Sequence, residues 1–304
     1  ASTWFPVNDH PSDKATFALA MTVPDGLEVL SNGVPGERSS AGGWTTWTYA
    51  ESTPMVSYLA TVVIGQYRVT TTTHKGKPLV TAIPTSLPAD GPAAESLKRT
   101  TDVADYLETI FGPYPFDAYG GVVLDDTRVR YALETQSRPV YGNVFFRSGE
   151  NTGVVAHELA HQWFGDSVSI KRWRDIWLNE GFATYAEWLW AEREDGPSVQ
   201  VAFEREYDGF EWSVKTGDPG PAQLFGQAVY KRGAMTVHAL RLTIGDDDFF
   251  RLLTRWTTEK RNATASTEEF VAFAERVSGE PLKPLFDAWL YGTTAPPLPR
   301  AAGR

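Results

Sequence analysis

Cysteine is absent from the 304 residues. No disulfide can staple the chain, and no thiolate can serve as nucleophile or metal ligand. Positive charge is in the minority: 28 Lys plus Arg stand against 38 Asp plus Glu, a net charge of −10. That balance, with no basic run, argues against a nucleic-acid partner. No apolar run approaches the roughly 18 residues a membrane-crossing helix requires, and no segment reads as a signal peptide. Histidine is scarce, with five in the whole chain. The sequence opens Ala1-Ser2-Thr3 without a methionine, which reads as processing or trimming.

Two of the five histidines stand together in His157-Glu158-Leu159-Ala160-His161. On an α-helix, positions four apart share a face one turn apart. His157 and His161 can therefore aim a ring nitrogen each at one ion. Glu158, rotated roughly 100° around the helix, flanks that ion in the general-base position of an H-E-x-x-H site. Glu180 follows in Trp177-Leu178-Asn179-Glu180-Gly181, on a second helix expected over 175–193, with Lys171-Arg172-Trp173-Arg174 as a turn between. Two imidazoles and a distant carboxylate are the ligand set of a catalytic zinc with one position open. His10, His74 and His238 have no comparable neighbours and are expected to be structural or solvated.

The two runs, extended to His157-Glu158-Leu159-Ala160-His161-Gln162-Trp163-Phe164-Gly165-Asp166 and Trp177-Leu178-Asn179-Glu180-Gly181-Phe182-Ala183-Thr184-Tyr185, resemble the aminopeptidase N family of gluzincin peptidases. The eighteen residues between His161 and Glu180 match that family's gap. The resemblance implies one zinc ion per chain, held by His157, His161 and Glu180. It further implies an amine-binding loop. The family's G-x-M-E-N is matched by Tyr131-Ala132-Leu133-Glu134-Thr135, with Glu134 kept and the Gly, Met and Asn replaced. Glu134 would bind the free α-amino group of the substrate, with Ala132 and Leu133 beside it along the substrate backbone. Tyr230, in Tyr230-Lys231-Arg232-Gly233-Ala234, would support the oxyanion. Glu187 corresponds to a carboxylate behind the metal ligands. The implied activity is hydrolysis of the first peptide bond of peptides with a free N-terminus. A thermolysin-type zinc endopeptidase, or an inactive truncated fragment, are the alternatives.

The chain reads strands first and helices later, an α+β pattern. Residues 1–85 carry turn signals at Asp25-Gly26 and Asn32-Gly33 and β-rich runs at Trp44 to Tyr49, Val62 to Ile64 and Tyr67 to Thr73. By resemblance this is the second half of an N-terminal β saddle domain, since Trp4-Phe5-Pro6-Val7-Asn8-Asp9-His10-Pro11 is similar to a segment midway through it, with Val7 where Cys is usual. The first half is then expected to be missing, leaving unpaired strand edges that favour aggregation or dimerisation. Residues 86–295 are expected to form a thermolysin-like, mostly helical zincin catalytic domain, and 296–304 a Pro-rich tail. A helix begins near Pro92 and stops at Gly112-Pro113. Short strands follow near Gly121 to Leu124 and Val144 to Phe146. Helices are expected near 153–165, 176–193, 197–211, 228–244, 246–260, 267–278 and 282–291, the sixth opened by a capping box of Ser266 and Glu269. Resemblance to secreted actinobacterial-type members suggests secretion, with a cytoplasmic location the alternative. The oligomeric state and the preferred N-terminal side chain are not specified by these motifs. Asn262-Ala263-Thr264 fits a glycosylation sequon and reads as incidental.

Overall fold

The computed structural model describes residues 2–299. The described chain packs as two compact units, one of residues 2–105 and 114–162, the other of 106–113 and 163–299.

In the first unit, β1 (Lys14–Pro24) turns its Phe17, Leu19, Met21 and Val23 inward and its Ala18, Ala20 and Thr22 outward. This is the period-2 alternation of a strand with one wet face. Asp25-Gly26 turns the chain into β2 (Glu28–Ser31), and Asn32-Gly33 turns it into β3 (Val34–Ala41). Gly26 and Gly33 take φ of 90° and 78°, the left-handed region that glycine enters without cost. β4 (Trp44–Val56) pairs antiparallel with both β1 and β3, and β5 (Val62–Gly65) pairs with β2. A five-stranded mixed sheet follows from β6 (Tyr67–His74), β7 (Lys77–Pro84), β8 (Tyr119–Leu124), β9 (Ala132–Leu133) and β10 (Val140–Gly142), in the order β6-β7-β8-β10-β9. β8 is buried on both faces as far as Val123, as a strand with parallel neighbours on either side requires. The expected strand at Val144 to Phe146 is instead a 3₁₀ turn over Asn143–Phe146. Aromatic residues favour strands only where a neighbour offers a ladder, and β10 has already ended.

Two helices join the early strands of this sheet to the later ones. The single helix expected between Pro92 and Phe111 is broken at Arg99 into α1 (Pro92–Lys98) and α2 (Thr100–Phe111). The Thr100 hydroxyl donates to the Leu97 carbonyl, a local bond that competes with the helix ladder. Gly112, at φ 85°, and Pro113 then end α2 as expected. The first unit closes with α3 (Thr152–Ala160). Asn151 caps it by accepting from the Val154 N–H at 3.1 Å.

The second unit is mostly helical. A short strand β11 (Ser169–Ile170) precedes α4 (Trp177–Arg193), α5 (Val199–Tyr207), α6 (Gln227–Ile244) and α7 (Asp246–Glu259). A second short strand, β12 (Thr264–Ala265), pairs with β11 and leads into α8 (Thr267–Ser278), whose capping box forms as expected. α9 (Lys283–Phe286) runs into a π turn over Asp287–Tyr291. No helix among the described residues is long and apolar enough to cross a membrane.

α4 is buried around nearly its whole circumference through Ala186, so it is the central helix of this unit. It crosses α6 at two glycines. A Cβ on Gly181 would meet the Gly233 carbonyl carbon at 2.8 Å, and a Cβ on Gly233 would meet the Gly181 Cα at 2.8 Å. Both obstacles are backbone and cannot swing away. Beside that crossing, Arg232 is fully buried and donates to five carbonyls, those of Trp212, Val214, Ala288, Trp289 and Gly292. Burial lowers its pKa to about 10, so it stays charged and satisfied by peptide dipoles from two segments, Trp212 to Val214 and Ala288 to Gly292.

The three unassigned histidines behave as expected. His10 is exposed and bonds Ser12, and His74 meets Asp105 at 2.7 Å. His238 is buried in a relay: Arg241 donates to the Tyr185 oxygen, which faces His238 Nδ1 at 3.2 Å, while Nε2 faces Gln200 Oε1 at 2.9 Å. The relay assigns the proton to Nε2 of a neutral ring. A charged ring would present a second N–H to a hydroxyl that already accepts from Arg241.

Two outcomes follow. Gly181→Ala should cost about 1 kcal/mol net, because backbone overpacking of about 1–3 kcal/mol outweighs the gain of about 1 kcal/mol in helix propensity; a thermal midpoint unchanged or raised would contradict the crossing. Burial pushes His238 down to about 4, below its unfolded value of about 6.5. The unfolded chain therefore binds this proton first, and stability falls as pH drops from about 6.5 toward 4. The loss is at most about 3 kcal/mol. His238→Gln should remove that share of the acid sensitivity, read as the difference between denaturant midpoints at pH 7 and pH 4.5.

Candidate active site

In the first unit α3 carries His157 and Glu158, and His161 follows at its C-cap with helical angles and its N–H bonded to the His157 carbonyl. The four-residue spacing is thus kept although the helix proper ends at Ala160, short of the expected 165. The two rings stand 4.8 Å apart between centroids, at 75°. Every side chain of α3 from Val154 to Ala160 is buried. Such a helix is not an amphipathic surface helix with incidental histidines. Burying imidazoles and a carboxylate along it is costly unless each meets a partner; a divalent cation can accept a ring-nitrogen lone pair from neutral imidazoles and balance the charge of a carboxylate.

Glu134 lies just past β9, on a six-residue stretch that turns back into β10. It is 7% exposed, so it is no surface carboxylate. A carboxylate oxygen of Glu134, one of Glu158 and a ring nitrogen of His161 all lie within 4.8 Å of one another. Ala132 and Leu133, the neighbours expected along the substrate backbone, form the edge strand of the sheet and are half-buried.

A side chain outside the expected site residues builds this geometry. Gln162, fully buried after His161, accepts from the Ser137 N–H at 2.7 Å. Its amide donates to the Glu134 carbonyl at 3.1 Å and to the Glu158 carbonyl at 3.3 Å. One amide thus ties the loop of Glu134 to the helix of Glu158. Thr135 and Ser137 to Arg138 close the loop as a tight turn, with Ser137 at φ 65°. Arg138, fully buried, donates to the Ser31 and Gly33 carbonyls, and Asn32 donates to the Gln136 carbonyl at 2.9 Å. The Asn32-Gly33 turn is therefore a support for the loop as well as the link between strands of two different sheets. Gln162 directly follows the motif histidine His161 in sequence, whereas Asn32 and Arg138 carry no signal of a site role in their own segments.

Tyr141 on β10 is fully buried. Burial first, and the negative charge of Glu158 second, raise its pKa well above the ordinary value. It stays a neutral phenol beside the site.

The remaining expected residues lie in the second unit. Glu180 is in the first turn of α4, 4% exposed, directly before the crossing glycine Gly181. Tyr230 is half-buried in the first turn of α6, one turn before Gly233. Glu187 is half-buried two turns along α4 from Glu180. The helix crossing thus sets the spacing of the elements bearing Glu180 and Tyr230.

A helix that presents two imidazoles one turn apart, beside two buried carboxylates and behind a β-rich N-terminal part, defines the H-E-x-x-H metallopeptidase class. The Peptidase family M1 domain matches residues 96–289, and the Peptidase M1 N-terminal domain matches residues 1–59. The chain belongs to peptidase family M1. It is 29% identical over 310 residues to Aminopeptidase M1-C of Oryza sativa subsp. japonica, covering 94% of the chain and 35% of that protein. It is 30% identical to the glutamyl aminopeptidase of Sus scrofa, covering 94% and 33%. The chain therefore spans about a third of the length of these curated relatives. Among solved structures, the M1 zinc metallopeptidase from Deinococcus radiodurans superposes with a TM-score of 0.87 at 31% identity, covering 98% of this chain and 69% of that one. A mutant of that enzyme, bound to a Tyr-Ser-Ala substrate, gives the same TM-score. The α+β architecture, a β-rich N-terminal part before a helical catalytic part, is that of these neighbours.

Gln162→Leu should destabilise the protein by about 2 kcal/mol, since it leaves the buried Ser137 N–H without an acceptor. Urea titration at pH 7 reads this; a loss below about 0.5 kcal/mol would show that the amide is not what ties loop to helix.

Proposed function

We propose that the chain is the catalytic part of a zinc aminopeptidase, with peptides bearing a free N-terminus as substrates. The observation that carries this is the buried Glu134, whose carboxylate lies within 4.8 Å of the side-chain atoms of Glu158 and His161. Relatives named as aminopeptidases, and a neighbour solved with a Tyr-Ser-Ala substrate, support the reading.

His157, His161 and Glu180 would hold the zinc, and the donor set fits: two converging imidazoles on one helix and one carboxylate from another. When bound, the ion supplies Lewis-acid polarisation of the scissile carbonyl and a water of lowered pKa. Glu158 takes the proton from the attacking water and returns it to the leaving amine. The Tyr230 hydroxyl donates to the developing oxyanion, a contact worth on the order of 3 kcal/mol. Glu187 would accept an imidazole N–H and so fix the tautomer of a ligand.

Glu134 sets the mode of cleavage. A carboxylate that faces the substrate ammonium holds the N-terminus a fixed distance from Glu158, so only the first peptide bond reaches the general base. An endopeptidase has no use for a buried carboxylate at that point, since the backbone of a chain interior carries no α-ammonium to meet it.

The test is hydrolysis of aminoacyl-anilides with free and N-acetylated amino groups by the zinc-loaded protein. Free substrates should be cleaved and acetylated ones not; equal rates would overturn the aminopeptidase reading in favour of an endopeptidase. Glu158→Gln should lower kcat by about 10³-fold with zinc content unchanged. Glu134→Ala should raise KM and lower kcat for free-amine substrates.

A further inference from the structure

We infer that Tyr58 is a positioning residue that aims Glu134 at the amine of the substrate. This rests on the reading of Glu134 as the amine anchor and adds to it the group that orients the anchor.

Tyr58 sits in the one-turn 3₁₀ helix Ser57–Leu59 that follows β4. Its hydroxyl donates to Glu134 Oε1 at 3.0 Å, across 76 residues of sequence. The turn is not free to drift. Asn32 donates to the Leu59 carbonyl at 3.0 Å and accepts from the Thr61 N–H at 2.9 Å. The same side chain donates to the Gln136 carbonyl at 2.9 Å. Buried Asn32 is therefore a brace between the turn bearing Tyr58 and the turn bearing Glu134. Met55, Val56 and Leu59 pack beneath the phenol's turn as a small apolar cluster.

The chemistry of a phenol suits this post. A carboxylate alone rotates about its last bond and can present either oxygen. A donor on Oε1 selects one orientation and leaves the lone pairs of Oε2 for a ligand cation. A Lys or Arg in the place of Tyr58 would orient the group equally well but would neutralise the charge that must meet an ammonium. A neutral donor orients without cancelling. Gln162 fixes the backbone of Glu134 through its carbonyl, and Tyr58 fixes the far end of the side chain. The anchor is held at both ends by uncharged groups.

The experiment is calorimetric titration of the zinc-loaded protein with two probes, L-tryptophan and its des-amino analogue 3-(indol-3-yl)propanoate. Wild type, Tyr58→Phe, Glu134→Ala and the double variant are compared, with thermal midpoints alongside. Tyr58→Phe should weaken L-tryptophan about fivefold and leave the des-amino probe unchanged. In the Glu134→Ala background it should add nothing. KM for a tryptophan anilide should rise by the same factor, with kcat within about twofold. Tyr58→Leu, which also removes the donor, is carried in parallel so that the result does not depend on the folding of one variant. Equal weakening of both probes would reduce Tyr58 to a structural role and overturn the inference. So would an unchanged Tyr58→Phe titration while Glu134→Ala abolishes discrimination between the probes; the anchor reading would then survive alone. If Glu134→Ala leaves discrimination intact, anchor and positioning residue fall together.

Discussion

Backbone meets backbone where α4 crosses α6, at Gly181 and Gly233, and the second unit is built outward from that contact. Neither glycine is needed for a turn, since both lie within helices where glycine costs about 1 kcal/mol against alanine. Their value is the missing Cβ. It lets two helices approach more closely than the usual 8–10 Å class of packing with side chains between them. The glycine of Trp177-Leu178-Asn179-Glu180-Gly181 and the glycine of Tyr230-Lys231-Arg232-Gly233 are thus two halves of one contact. The proposed ligand Glu180 precedes the first half, and the proposed oxyanion donor Tyr230 lies one turn before the second. Arg232, between Tyr230 and Gly233, gathers the carbonyls of the chain's last described turn and ties them to the same helix.

The first unit solves a different problem. It buries polar groups around α3 and must satisfy each of them. Gln162 spends its whole amide on three backbone groups, and Arg138 and Asn32 hold the turn that carries Glu134 from the other side. Loops are ordinarily exposed and mobile. This one is clamped from three directions, and the clamp places a carboxylate at a fixed distance from Glu158, the proposed general base. On the proposed function, that distance is what restricts hydrolysis to the chain end.

Much of this was legible in the residues. The alternation of β1, the Gly turns at Gly26 and Gly33, the capping box at Ser266 and Glu269, and the H-E-x-x-H spacing all act within a few residues, where local geometry decides. The failures have the same explanation inverted. Val144 to Phe146 has strand composition but no ladder to join, and the helix across Arg99 is broken by a hydroxyl bonding three residues back. Nothing local marks Asn32 as a brace or Gln162 as a clamp, because their partners lie about a hundred and about twenty-five residues away.

The sequence by itself determined the family and the spacing of its motif. Four-residue spacing puts two imidazoles on one helical face in any fold that leaves the helix intact, and the motifs carried the family with them. Only the tertiary structure decided that Glu134 is buried beside Glu158 and held by Tyr58. It also decided that two motif glycines exist for each other. These depend on which backbone groups need partners once water is excluded, and that is settled only when distant segments pack.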